Sequence, residues 1–430
     1  MGKIEIADYI EKLTGSITVP GDKSISHRAV MFGALAEGVT EITNFLTGDD
    51  CLRTVDIFQK LGVPIRMTEE KISIEGKGLS DFVEPKEVLY FGNSGTTARL
   101  MTGILAGSSF CSMFTGDESL NRRPMERVVT PLKKMGADIH GREDGKYLPL
   151  SIRGRRLQSI RYELPVLSAQ LKSAIIFAAL HANGETVIIE NSPTRDHTEI
   201  MLKQFGGQIE RVGKEIKVKG NQSLVGTRVH VPGDFSSAAF FIVLGALAKK
   251  SDFIIENIGL NPTRTGLLDV LKRMHGKFEM MKEDGNFEPT GSLRIQSAPL
   301  VGTTIGGDMI PRLIDEIPII ALLATQAEGT TVIKDAEELR VKESDRIATV
   351  VTELKKLGAN IEATEDGMII EGKTKLSGGY VNSHGDHRIG MMLAIAGLIS
   401  EEKVIIDQYE CTQISYPDFF GDVKKISKMK

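Results

Sequence analysis

The sequence predicts an α/β protein of two domains, each made of three copies of one helix-strand-helix-strand-strand unit. Three observations predict it. The chain has 430 residues, too many for one ordinary core. A small polar start, an apolar helix-like run and an apolar strand recur six times, and the tetrapeptide VPGD occurs at Val19 and again at Val231.

The copies begin DKSISHRAVMFGALAEGVTEI at Asp22, NSGTTARLMTGILAGSSF at Asn93, SAQLKSAIIFAALHANGETVII at Ser168, DFSSAAFFIVLGALAKKSDFII at Asp234, DEIPIIALLATQAEGTTVI at Asp315 and DHRIGMMLAIAGLISEEKVII at Asp386. Spacings of roughly 70 residues suit a small α/β unit better than a solenoid turn. Most copies continue into an amphipathic helix with lysines near its end and a glycine after it, at Gly62, Gly136, Gly206 and Gly358. A hairpin follows in PIRMTEEKISIEG, ADIHGREDGKYLPLSIRG, QIERVGKEIKVKG, KFEMMKEDGNFEPTGSLRIQ and NIEATEDGMIIEG, where alternation is interrupted by charged or Gly-containing turns. One segment, GMIIEGKT from Gly367, formally fits the phosphate-loop pattern. KISIEGKG and EIKVKGN occupy the same place in other copies as hairpin strands, so it reads as a strand and ATP hydrolysis is not supported.

The sixth copy reaches a second helix at DFFGDVKKISK and has no hairpin after it, so KIEIA and GSITV near the N-terminus are expected to supply its strands. Three copies per domain then give a continuous domain over 21–230 and a discontinuous one over 1–20 and 231–430. The chain crosses between them at the two VPGD sites, where Pro fixes and Gly frees the backbone. A cleft between the domains is the expected ligand site.

Composition narrows the function. With 41% hydrophobic and 26% charged residues, and no apolar run of about 18 residues, the chain reads as globular with no membrane span. Its start, MGKIEIADYIEK, lacks an apolar signal core, so a cytoplasmic location is the expectation. Cys51, Cys111 and Cys411 form no C-x-x-C pair, which argues against a disulfide framework or zinc site. A net charge of −4 speaks against general nucleic-acid binding, so any anion site is local.

Local cationic sites are present. GDKSISHR places Lys23, Ser24 and Arg28 at a predicted helix start, and GNSGTTAR places Gly95 and Arg99 at another; exposed N–H groups and the dipole there favour anions. Arg122 and Arg123, Arg195, Lys342 and Arg346, and Arg388 lie in loops at corresponding points of other copies. Several guanidinium forks suit a ligand with more than one carboxylate or phosphate. Two acids stand out, Asp315 in PRLIDEIPII and Glu343 in RVKESDR. Helix capping and an exposed salt bridge are the alternatives to general acid–base work for them. His384 and His387 in SHGDHR make a poor metal pattern, and no metal is expected.

These motifs, with NRRPMER, LSAQLKSA, SPTRDHTEIML, GDHRIGM and SYPDFF, resemble the 5-enolpyruvylshikimate-3-phosphate synthase family in order and across nearly the whole chain. SAQLK, RDHTE and RPMER are closer to its glyphosate-insensitive class. The resemblance implies two inside-out α/β barrel-like domains and transfer of the enolpyruvyl group of phosphoenolpyruvate to the 5-hydroxyl of shikimate 3-phosphate, without metal or organic cofactor, by a monomer. It implies that Lys23, Ser24, Arg28, Ser168, Gln170, Arg195, Asp315 and Lys342 bind shikimate 3-phosphate. Lys23, Gly95, Arg123, Gln170, Arg346 and Arg388 would hold phosphoenolpyruvate. Asp315 would help deprotonate the hydroxyl, and Glu343 and Lys23 would manage proton transfer at the methylene and phosphate departure.

Two positions depart from the family pattern: Ile414 replaces a lysine common before the last motif, and Ala169 replaces a second serine of sensitive members. A sister transferase acting on a UDP-sugar works through a loop cysteine, and FTGDESLNRRPM offers none. A two-domain anion-binding module without chemistry would leave Asp315 and Glu343 without a task.

Overall fold

A computed structural model describes residues 2–79, 81–283 and 287–427. The turn expected within KEDGNF lies partly outside them, at 284–286. Contacts divide the chain into two compact units, 21–231 and 1–20 with 232–430, each with its own apolar core.

The first unit carries α1 (Lys23–Leu35), α2 (Asp49–Lys60), α3 (Gly95–Ala106), α4 (Glu126–Lys134), α5 (Ala169–Leu180) and α6 (His197–Gln204). The other carries α7 (Phe235–Leu247), α8 (Gly266–Arg273), α9 (Ile317–Thr325), α10 (Arg346–Lys356), α11 (His387–Ile399) and α12 (Phe419–Ser427). The first helix of each copy, α1, α3, α5, α7, α9 and α11, is buried along nearly its whole length. A helix apolar on all faces has to lie inside. The helices are therefore the core and the sheets the outer layer, the inside-out arrangement. Small residues let the helices approach: a Cβ at Gly103 of α3 would run into the carbonyl of Ala174 on α5. The second helices bury one face, and Gly62 and Gly358 follow α2 and α10 at φ of 83° and 89°, the left-handed conformation that closes a helix.

Each hairpin pairs as its alternation predicts. Glu37–Thr43 runs antiparallel to Lys71–Lys77, which runs antiparallel to Ile65–Met67, and the same order recurs around Lys217, Arg294 and Ile370. The segment GMIIEGKT contains the strand Met368–Gly372.

Each copy also has a strand that its sequence pattern does not announce. Leu89–Tyr90, Arg161–Glu163, Thr304–Ile305 and Gly379–Asn382 each precede a core helix and lie parallel to the strand after it, making a βαβ unit. At two to four residues they are too short to leave a period. At the chain crossings these strands are exchanged. Lys12–Thr18 precedes α1 yet pairs with Lys250–Gly259 of the fourth copy, and Arg228–His230 precedes α7 yet pairs with Glu37–Thr43 of the first. This corrects the expectation for the N-terminus: only Lys3–Ile6 completes the sixth copy, antiparallel to Val404–Asp407, while most of GSITV belongs to the fourth. No helix among the described residues is long and apolar enough to cross a membrane.

Candidate active site

In the unit 21–231, the helix starts that carry the cationic motifs are capped by side chains: Asp22 accepts from Ile25 N, Ser94 from Thr97 N and Ser168 from Leu171 N. Hydrogen bonds tie these turns together. His27 Nδ1 meets Thr54 Oγ1 at 2.7 Å, Thr54 meets Thr97 at 2.8 Å, and Thr97 meets Ser94 at 2.7 Å, joining α1 to α3 through α2. Burial, then the charges of Lys23 and Arg28, hold the His27 imidazole well below its ordinary pKa, so it is a neutral member of this chain. Ser26 accepts from Leu46 N and is a packing residue.

Gln170 joins α5 to α3. Its Oε1 accepts from Arg99 Nη1 at 2.6 Å and its Nε2 donates to Thr96 Oγ1 at 3.0 Å. Arg123 donates to Asn93 Oδ1 at 2.5 Å, and a Cβ at Gly95 would stand 3.1 Å from Arg99 Nη1 and 3.2 Å from Arg123 Nη1. Gly95 is thus where the backbone comes against two guanidinium groups. Arg28 donates to Thr198 Oγ1 at 2.6 Å, Ser173 Oγ at 2.8 Å and Ser24 O at 2.9 Å, all neutral oxygens. Lys23 forms an ion pair with Asp50. Arg195 directly precedes Asp196, the residue at the start of α6.

What holds Thr194, the residue before Arg195, is not evident from the sequence. Lys172, wholly buried in α5, lies 3.0 Å from Glu190 and 2.7 Å from Glu199. Glu190 Oε1 in turn accepts from Thr194 N and Thr194 Oγ1, beside Arg195. Burial opposes the charge on Glu190, but Lys172, the Thr194 hydroxyl and Arg211 together hold its carboxyl below the usual range. The available signal was a lysine inside the apolar run AQLKSAIIFAAL. Asp50, the partner of Lys23, was also missed; its only mark in the sequence is an acid pair in the first turn of α2.

In the other unit, Asp315 is not at the cap position of α9: that position is Glu316, whose side chain does not cap the helix. Asp315 instead lies 3.3 Å from Arg346 Nη1 and 3.7 Å from Lys342 Nζ. Arg346 Nη2 donates to Glu343 Oε2 at 2.7 Å, and its Nε to Asp386 Oδ2 at 2.8 Å. Asp386 is the unforeseen third acid, and it also caps α11 through Arg388 N. Burial works against the Arg346 charge, but the three carboxylates outweigh it and raise its pKa. For Asp386, burial is likewise the largest influence and opposes charge, and Arg346 reverses it, so the carboxyl is held low. Arg346 is therefore committed in this structure to gathering acids. Arg388 lies on α11 with Nη1 3.8 Å from Glu316. Ile414 ends the turn Tyr409–Ile414, half-buried.

One unit thus gathers cations on helix starts, and the other gathers acids on an arginine beside a lysine. The first suits oxyanion binding and the second proton transfer beside an anion. Residues 7–423 match the family model for EPSP synthase (3-phosphoshikimate 1-carboxyvinyltransferase). A 3-phosphoshikimate 1-carboxyvinyltransferase of Bacillus cereus (strain G9842) is 57% identical over 417 residues, 97% of each chain. One of Bacillus cytotoxicus is 57% identical over 96% of this chain and 98% of its own. Among solved structures, an EPSP synthase from Acinetobacter baumannii superposes with a TM-score of 0.88 at 42% identity, covering 99% of this chain and 98% of that one. The enolpyruvyl transferase NikO from Streptomyces tendae, at 16% identity and a TM-score of 0.79 over 99% of this chain and 97% of its own, shares the fold.

Proposed function

The chain belongs to the EPSP synthase family, and from that premise we infer that it transfers the enolpyruvyl group of phosphoenolpyruvate to the 5-hydroxyl of shikimate 3-phosphate, releasing phosphate, a step of the shikimate pathway. The hydroxyl oxygen adds to C2 of phosphoenolpyruvate as C3 takes a proton. The tetrahedral adduct then loses that type of proton from C3 as the C2–O bond to phosphate breaks. No covalent link to the protein is needed.

We assign Lys23, Ser24, Arg28, Ser168, Gln170 and Arg195 to shikimate 3-phosphate, with Lys342 and Asp315 at its ring. Gly95, Arg123, Gln170, Arg346, Arg388 and Lys23 serve phosphoenolpyruvate. Asp315 takes the hydroxyl proton, and Glu343 with Lys23 serves the methylene and the departing phosphate. The observation that carries the chemistry is the grouping of Asp315 and Glu343 on Arg346, with Lys342 beside Asp315: paired carboxylates next to a lysine are groups that can take and return protons, which mere anion capture does not require. The assigned residues are divided between the two units, so the reading requires both to engage one substrate pair. We further propose a cytoplasmic monomer, which sedimentation and cell fractionation check.

Phosphate release on mixing the purified protein with both substrates, with the product identified by mass, tests the reaction. No release refutes it, and release that depends on a UDP-sugar establishes the sister reaction. Compaction in small-angle scattering only when both substrates are present is expected from joint engagement.

A further inference from the structure

We propose that Glu316 is the positioning residue of Arg388, and that Ser236, Arg264 and Asp234 connect this pair to the second crossing of the chain. The proposal rests on the assignment of Arg388 to phosphoenolpyruvate. Glu316 is almost wholly buried at the start of α9 without capping it, so its carboxylate is engaged elsewhere. Its Oε1 takes a short hydrogen bond from Ser236 Oγ on α7. The direction is fixed, because Ser236 Oγ already accepts from Arg264 Nη2 at 2.7 Å, leaving its own proton for the carboxylate. Arg264 Nη2 also reaches Asp234 Oδ1 at 3.0 Å. Asp234 caps α7 through Ser236 N, and its own N–H donates to Pro20 O at 2.8 Å, so the two crossing segments meet on this residue.

Arg388 stands at the other end. Its Nη1 is shut from solvent and has no hydrogen-bond partner among the described residues; Glu316 Oε1, at 3.8 Å, is too far for one. The buried guanidinium is therefore balanced by charge without its N–H groups being consumed. Arg346 shows the contrast, with its nitrogens bonded to acids. Two consecutive acids divide the work: Asp315 faces Arg346 and Glu316 faces Arg388, which keeps the second fork open for a substrate carboxylate or phosphate.

Steady-state kinetics of the full-length Glu316→Gln variant test the proposal. The KM for phosphoenolpyruvate is expected to rise about tenfold or more, while kcat falls by no more than about threefold and the KM for shikimate 3-phosphate stays put. Glu316→Asp should recover part of the loss, and Ser236→Ala should show a smaller rise of the same kind. In an Arg388→Ala background, Glu316→Gln should add nothing, because its effect runs through that arginine. Phosphate release by the unaltered protein in the same assay separates failure of this proposal from failure of the assigned reaction. Glu316→Gln and Ser236→Ala variants with unaltered phosphoenolpyruvate KM, or equal increments with and without Arg388, would overturn it.

Discussion

Replacing Lys172 with methionine removes a charge from a site that contains two acids. The side chain keeps nearly its length, so α5 stays packed, but Glu190 and Glu199 lose the ammonium that lies 3.0 Å and 2.7 Å away. Arg211 remains beside Glu190 and 4.0 Å from Glu199, on the partly exposed side. Breaking a buried ion pair from one side costs about 3–5 kcal/mol, a large share of a domain's stability. The pH dependence identifies the cause. Without Lys172, burial is no longer offset by the strongest influence that holds the Glu190 carboxyl low, so the folded protein binds a proton that the unfolded chain does not, and its stability falls as pH rises. The deficit against the unaltered protein should therefore be largest at neutral pH and shrink toward pH ~5. Urea unfolding at several pH values measures it. Activity should follow, since Glu190 holds Thr194 beside Arg195, with the KM for shikimate 3-phosphate rising more than that for phosphoenolpyruvate. A Lys172→Met protein with unaltered stability at neutral pH, or with a deficit constant over pH, would refute the reasoning.

Gly95→Ala has no backbone strain to meet, and alanine favours the helix by about 1 kcal/mol; its Cβ presses Arg99 and Arg123, so Tm should hold or rise while the KM for phosphoenolpyruvate increases about tenfold. Asp315→Asn and Lys23→Ala should each lower kcat by on the order of a hundredfold with the fold intact by circular dichroism; near-normal turnover removes them from proton and charge handling. Burial pushes His181 down to about 4, below its unfolded value, so it costs stability as pH falls from about 6.5 toward 4, and His181→Gln should flatten that part of the unfolding profile.

The repeat was legible because its core helices are apolar all round and its second helices are amphipathic, patterns that survive in one sequence. Glycine marked the ends of α2, α4, α6 and α10, but His275 takes the left-handed position after α8, at φ 64°, which hides that helix end from a glycine search. The short parallel strands were invisible, because two to four residues are too few to show a period and the partner that orders them lies beyond the next helix. At the candidate site, residues beside punctuation, such as Lys23, Gly95, Arg195 and Arg346, announced themselves. Lys172, Asp50 and Asp386 did not, because their meaning lies in a partner: a lysine in an apolar helix is told from a stray charge only when two acids from other elements close on it. Arg264 shows the reverse error that motif reading invites. NPTR repeats SPTR, yet Arg264 is buried against Asp234 and Ser236.

The exchange of strands at the crossings makes the two units unequal as fragments. A chain of residues 21–231 retains every strand of its sheets, including Arg228–His230 beside Glu37–Thr43, and its apolar core lies wholly within it. It should fold alone. A chain of 232–430 loses Lys3–Ile6 from the sixth copy and the seven-residue ladder of Lys12–Thr18 against Lys250–Glu256 in the fourth. It also loses the buried side chains of Ile6, Ile10, Leu13 and Val19. At about 1.5–3 kcal/mol for each buried aliphatic side chain, the loss is of the size of a domain's whole stability of about 5–15 kcal/mol. The shorter fragment should therefore lack a cooperative unfolding transition, and a peptide of residues 1–20 added in trans should restore one. Cooperative unfolding of 232–430 without the peptide would mean that the exchanged strand merely decorates an edge. Restoration by the peptide would mean that the chain crosses twice because its N-terminal segment is needed to finish the second unit.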